Sequence, residues 1–191
     1  LLAKDSIVTE QVILQAWQKT IYYDRDGEEH YNIISAIHKS LRDSDGDAAC
    51  YRIQRMLMAG EDPLYLARRL LRFASEDIWP MDNNALLMAN QVYDAVAKIG
   101  KPECDVFLFQ LAIYLAKAKK DNIVYRTALA TRADVEKYGN LPVPLHLRNA
   151  STKLMKELNY GTWYKYAHDY PDAKVDQEHF PSELKGRTYL H

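Results

Sequence analysis

The spacing of helix stops and starts constrains this chain more than any other feature of it. Gly60 is followed at once by Glu61-Asp62-Pro63, and Gly100 by Lys101-Pro102-Glu103. Glycine belongs just past the end of a helix, and aspartate then proline at the cap and first turn of the next. Links this short leave neighbouring helices no choice but to fold back antiparallel.

Between these marks apolar residues return every three or four positions, the period of an amphipathic helix. From His30 to Leu41 the stripe is Tyr31, Ile34, Ile37, His38 and Leu41. Ser44-Asp45-Gly46-Asp47 starts the next helix, with Ser44 as its expected cap and Asp47 at its positive terminus. That helix is expected to bury Cys50, Ile53, Leu57 and Met58. A third runs from Pro63 through Leu66, Leu70, Phe73 and Ala74 towards Asp77, and Trp79-Pro80 interrupts it. Met81 to Ile99 is a long apolar stretch, and Val106 to Lys117 follows. The face Phe107, Leu108, Leu111, Ala112 and Leu115 is wide enough for burial on more than one side. A last long helix spans about Asn122 to Tyr138. Upstream, Thr9 can cap a short helix carrying Val12, Ile13, Ala16 and Trp17, before a charged break from Tyr23 to Glu28. The expected fold class is all-α, an antiparallel helical bundle.

After Gly139 the pattern changes. Pro142, Pro144, Pro171 and Pro181 punctuate it, tyrosines gather at Tyr160, Tyr164, Tyr166 and Tyr170, and only Ser151 to Leu158 keeps helical period. The expectation is an extended Pro/Tyr-rich C-terminal arm, about 159–191, laid over the helices by its rings.

Several functions are excluded on the same residues. With a net charge of -1 the chain has no global field for nucleic acid. No apolar run approaches the roughly 18 residues of a membrane span, and no signal or transit peptide is read near residue 1. A start at Leu1 rather than methionine leads us to expect a piece of a longer chain. Cys50 and Cys104 lie in apolar helical surroundings without metal spacing, so two reduced thiols are expected. No phosphate-binding glycine loop, nucleophile elbow or helical zinc pair occurs. His30 and His38 are eight apart and so about 80° apart around a helix, which favours packed histidines over a metal pair. The chain is therefore not expected to be an enzyme by itself, and no catalytic, cofactor-binding or metal residue is assigned.

Three groups remain as candidate contacts. Arg68, Arg69 and Arg72 crowd one helix ahead of Glu76. Arg72 and Glu76 are four apart, which makes a self-paired solvated face or a contact to another subunit more natural than phosphate binding. Pro142-Val143-Pro144 sets His146 and Arg148 in a defined position, with Asn149 as a possible cap for the helix carrying Lys153 and Lys156. A structural clamp is the simpler role there. Tyr164-Lys165-Tyr166 alternates rings with a cation, as single-strand platforms do, although rings of this kind also anchor interfaces.

Tyr23-Asp24-Arg25-Asp26-Gly27-Glu28-Glu29-His30-Tyr31, Gly60-Glu61-Asp62-Pro63-Leu64, Ala67-Arg68-Arg69-Leu70 and Ala74-Ser75-Glu76-Asp77-Ile78 appear in that order. Val143-Pro144-Leu145-His146-Leu147-Arg148-Asn149-Ala150, Thr152-Lys153-Leu154-Met155-Lys156 and Tyr164-Lys165-Tyr166-Ala167-His168-Asp169 follow. Together they resemble the C-terminal region of one AAA+ family, replication-associated recombination protein A or maintenance of genome stability protein A, with the Werner helicase-interacting ATPase as eukaryotic relative. Gly46 stands where that family usually has proline, and Trp79-Pro80 where it usually has Gly-Leu.

The resemblance implies residues 1–22 as the tail of an AAA+ lid and 23–191 as a helical oligomerisation domain, similar in fold to the clamp-loader C-terminal collar. It implies a homotetramer of a cytoplasmic, nucleoid-associated parent acting in replication-fork maintenance and recombination or repair. ATP and magnesium would belong to a parent module absent from this sequence, and DNA and single-strand-binding protein would be the parent's partners. The alternative expectation is a docking module for single-stranded DNA or a replication partner, using Arg68, Arg69, Arg72, His146, Arg148, Lys153, Tyr164 and Tyr166.

Overall fold

The computed structural model describes residue 10 and residues 27–190. The expected helix around Val12 to Trp17 and the boundary near residue 22 lie outside them. The described residues are helical with no strand, and the chain divides into two compact units, residues 1–125 and 126–191.

Among the described residues from 27 on, the first unit holds five helices: α1 (Glu28–Arg42), α2 (Gly46–Met58), α3 (Pro63–Glu76), α4 (Asn83–Ile99) and α5 (Asp105–Lys117). α1 starts on Glu28 and Glu29 and ends on Lys39 and Arg42, matching charge to the helix dipole at both termini. Its buried stripe is His30, Ile33, Ile34, Ile37, His38 and Leu41. Tyr31, expected inside, is exposed at the rim and meets His30 edge-on at 5.4 Å. The buried face is centred further towards Ile33 than the sequence stripe implied.

The α1–α2 turn also differs by one residue. Ser44 takes a left-handed conformation, φ 64, so Asp45 rather than Ser44 caps α2, accepting from the Ala48 amide at 2.9 Å. α2 then buries Ala49, Ile53 and Met56. Cys50 and Leu57 are half-buried and Met58 is exposed, because the face turns with the shifted start. α3 follows the sequence reading, with Asp62 as cap, Pro63 in the first turn, and Leu66, Ala67, Leu70, Phe73 and Ala74 buried.

Asp82 caps α4 through the amides of Asn84 and Ala85, and also accepts from the Tyr114 hydroxyl at 2.7 Å, which ties the start of α4 to α5. α5 packs against α1, α2, α3 and α4, and buries Leu108, Leu111, Ala112, Leu115 and Ala116. Beyond it, Ile78 and Lys120 form one antiparallel bridge, and the Lys120 ammonium donates to the Ala116 and Ala118 carbonyls at 2.8 and 2.7 Å. Carbonyls left open at a helix end are thereby satisfied.

Two histidines sit in this core for different reasons. His30 Nδ1 pairs with the buried Glu61 carboxylate at 2.9 Å. His38 packs edge-on to Phe73 at 5.5 Å, and its Nε2, like Arg69 Nε, has no hydrogen-bond partner. Burial, helped by the nearby Arg69 and Arg42 cations and opposed by Asp77, pushes His38 from 6.5 to about 4.

The second unit contains most of α6 (Ile123–Tyr138), the short α7 (Lys153–Glu157) and four single 3-10 turns. Thr152, not Asn149, caps α7 through the Met155 amide. Among residues 126–190 the one buried residue is Asp134, and no apolar side chain is buried. Ordering backbone costs roughly 1–2 kcal/mol per residue, while a net hydrogen bond contributes about 1 kcal/mol. Polar contacts of that size shape a segment but do not by themselves stabilise one without an apolar core.

The folded pKa of His38 lies below its unfolded value, so the unfolded chain takes up the proton first. Its stability contribution is complete above pH 6.5 and is lost as pH falls towards about 4, in total about 3 kcal/mol. Thermal melts should show the native chain losing roughly 5–10 °C across that window and His38→Leu losing much less. Parallel curves for the two proteins would assign the acid sensitivity to other groups.

Candidate interaction surface

Helix α5 is uncharged from Val106 to Ala116, with Asp105 and Lys117 at its ends, and α4 carries only Asp94 and Lys98 in 17 residues. Charged residues make up 27% of the chain, so both helices are depleted. The core accounts for one side of each. On the other side of α5, Val106, Gln110, Ile113 and Lys117 recur at steps of four, three and four and form an outward ridge. Val106 and Ile113 stay 60% and 46% exposed, and on α4 Leu86 and Leu87 are also uncovered.

Grooves flank the ridge on both sides. The α2 side has a groove of about 690 Å³ lined by Gly46, Asp47, Cys50, Phe109, Ile113 and Lys117, among others. On the α4 side one of about 410 Å³ is lined by Asp82, Met88, Gln110, Ile113, Tyr114 and Lys117. Ile113 and Lys117 border both. Gly46 marks a close approach here, since a Cβ at that position would lie a tight 3.3 Å from the Ala116 methyl of α5. Burial raises the Cys50 thiol pKa, with Asp47 adding to it, so the thiol stays protonated on the groove wall. A ridge between two grooves, poor in charge and exposing aliphatic side chains, is the shape that accepts another helix.

The arginines of α3 are largely self-engaged. Arg72 Nε donates to Glu76 at 2.8 Å and Arg68 reaches Asp62 at 3.5 Å, both near the surface. Arg69 points the other way, its Nε buried close enough to His38 to depress that imidazole. The three therefore do not present one cationic face.

The other candidate residues lie in the second unit. His146 Nε2 is 2.7 Å from the Glu178 carbonyl. Arg148 donates to the Val143 carbonyl at 2.6 Å and to the Tyr160 hydroxyl at 3.1 Å, with its guanidinium over the Tyr160 ring. Gly161 closes this arrangement, its amide on the Leu145 carbonyl; it sits at φ 71, and a Cβ there would meet the Arg148 carbonyl at a tight 3.1 Å. Lys153, Tyr164 and Tyr166 are exposed.

One cluster was not visible from sequence. Asp134 accepts both arms of the Arg187 guanidinium at 2.7 and 3.1 Å and the Tyr189 hydroxyl at 2.8 Å. The Tyr189 bond, with Arg187 beside it, holds the Asp134 carboxyl below the usual carboxylate range. Thr127 donates to the Tyr189 carbonyl, so residues 187–189 are fixed along α6. The partners are 53 and 55 residues apart, beyond any local motif. Among the described residues no group of three or more His, Cys, Asp or Glu could hold a metal, and no helix is long and apolar enough to cross a membrane.

Residues 43–191 match the family described as MgsA AAA+ ATPase C terminal, and residues 2–42 match the AAA C-terminal domain family. Replication-associated recombination protein A of Coxiella burnetii is 45% identical over 168 residues, 87% of this chain and 38% of that protein. The protein of the same name in Escherichia coli K12 is 43% identical over 175 residues, 91% of this chain and 39% of that one. The ATPase WRNIP1 of Dictyostelium discoideum is 42% identical over 191 residues, 99% of this chain and 22% of that one. The chain thus spans between about a fifth and two fifths of these relatives.

Replacing Asp134 with asparagine removes the charge that accepts three hydrogen bonds from Arg187 and Tyr189. Hydrogen exchange should quicken by roughly tenfold at Arg187 to Tyr189 and stay unchanged in α3. Equal rates in the two proteins would show that the tail is held by other contacts.

Proposed function

This chain belongs to the MgsA AAA+ ATPase C-terminal family, and from that membership and the uncovered α4–α5 face we propose that it is the part through which a replication and recombination ATPase associates with itself. The observation that carries this reading is the ridge of Val106, Gln110, Ile113 and Lys117 between its two grooves. Aliphatic side chains kept in water together along a charge-depleted helix suit a contact between copies. Four copies is the expected number. The chain itself contributes no chemistry; nucleotide binding and hydrolysis belong to the remainder of the longer protein, whose work at replication forks would depend on the assembled form.

Single-stranded DNA docking is the second reading, and the exposed rings of Tyr164 and Tyr166 favour it. The self-engaged arginines of α3 weaken it, since phosphate binding needs cations that are not already paired. It predicts binding that falls steeply with salt, read by fluorescence anisotropy of a labelled oligonucleotide.

Light scattering during size exclusion tests the first reading. The chain should run at a mass near four copies, and Ile113→Glu or Leu87→Glu should shift it towards the mass of one, each by placing a charge in a desolvated contact. Both positions are exposed, so the variants should keep their helical circular dichroism. A well-folded monomer at high concentration would overturn the proposal.

A further inference from the structure

The turn between α1 and α2 sets the two groups of a backbone reaction side by side. Asp45 is followed by Gly46, and Asp26-Gly27 is the one other such pair in the chain. An aspartate carboxyl and the next amide nitrogen can close a five-membered ring, and glycine, with no Cβ, leaves that nitrogen unhindered. Several features of the turn permit this in the folded chain. Asp45 is exposed. The Gly46 amide donates no hydrogen bond among the described residues, because the first N–H groups of a helix have no intrahelical acceptor. The Asp45 carboxylate accepts from the Ala48 amide at 2.9 Å, which keeps it turned towards the amides of the first turn, that of Gly46 among them. The Asp45 amide is tied to the Ser40 carbonyl at 2.8 Å, so the chain is pinned ahead of the reacting pair and not across it. With ψ at 84, Asp45 is not helical, and the bond that must rotate for ring closure belongs to the turn rather than to α2.

We propose that Asp45-Gly46 is a site of spontaneous aspartate isomerisation in the folded chain, and that the product uncaps α2. The Gly46 nitrogen attacks the side-chain carboxyl carbon of Asp45 and forms a C–N bond. The amide proton and the carboxyl OH leave together as water, and a succinimide remains. Water then opens the ring at either carbonyl. Opening on one side restores aspartate; opening on the other runs the chain through the side-chain carbons, as isoaspartate. Nothing is oxidised or reduced, and water is the only co-reactant. Isoaspartate adds a methylene to the backbone and leaves its free carboxylate on Cα, away from the Ala48 amide that it capped. The change falls where α2 approaches α5 closely, since a Cβ on Gly46 would lie 3.3 Å from the Ala116 Cβ. Gly46 and Asp47 also line the groove between those helices. The proposal stands whether or not the chain associates with itself.

The test ages the full chain at neutral pH, folded in buffer and, in parallel, unfolded in urea. Position 45 is followed by peptide mapping with electron-transfer fragmentation, which tells isoaspartate from aspartate at equal mass. Isoaspartate should accumulate there in the folded chain, about tenfold more slowly than in the unfolded one, because ring closure still requires the cap to open. The aged fraction, separated chromatographically, should exchange the amides of Ala48 to Cys50 roughly tenfold faster than fresh chain, with α3 unchanged. Asp45→Ser keeps a capping side chain but has no carboxyl to cyclise, so it should fold as the native chain does and show neither change. A folded chain that keeps aspartate at 45 while the unfolded chain converts would overturn the proposal. So would isoaspartate at Asp26 alone, or faster exchange of Ala48 to Cys50 in aged Asp45→Ser. Isoaspartate at 45 that leaves those amides as protected as before would overturn the uncapping of α2.

Discussion

Helix α5 can exist only where other helices cover it, and the first unit is arranged around that requirement. Nothing charged lies between Asp105 and Lys117, so in water it would expose apolar surface on every side. α1, α2, α3 and α4 all pack against it, and the connections are built to keep them there. Asp82 serves as cap to α4 and acceptor for Tyr114, Lys120 closes the far end of α5, and Gly46 lies close against Ala116. The outward ridge is what remains of the same apolar character after four neighbours have taken their places. Core and candidate interface are two sides of one helix.

The helices themselves were legible because their marks are local. Asp62-Pro63 and Gly100 act through their own backbone conformation and hydrogen bonds, and the structure uses them as the sequence implied. The discrepancies fall where a turn redistributes roles over one residue. Ser44, suited by type to a cap, turns left-handed and passes that role to Asp45, and the buried face of α2 rotates to Ala49, Ile53 and Met56. Periodicity gives the existence of a stripe, but its centre depends on neighbours, which is why Ile33 is inside and Tyr31 outside.

The surface was half legible. The breadth of the apolar face over Phe107 to Leu115 pointed to burial on several sides, and most of that breadth is spent within the unit. The part left over, at Val106 and Ile113, could have been found by following the opposite face of the same helix. On α3 the spacing of Arg72 and Glu76 pointed to a self-paired face, and Arg72 does fold onto Glu76, whereas the inward turn of Arg69 towards His38 was not legible. Composition counts charges; it cannot say which are already neutralised.

What this sequence determined by itself was the all-helical class, the order and approximate ends of the helices from α1 to α6, and the resemblance that the family match bears out. Those properties rest on interactions within a few residues or on the run of residues itself. Only the tertiary structure decided that Asp134 would hold Arg187 and Tyr189, that His38 would be kept neutral, and which apolar side chains would have no cover. Each depends on groups far apart in the chain meeting in space, and burial is a property of the whole packed set.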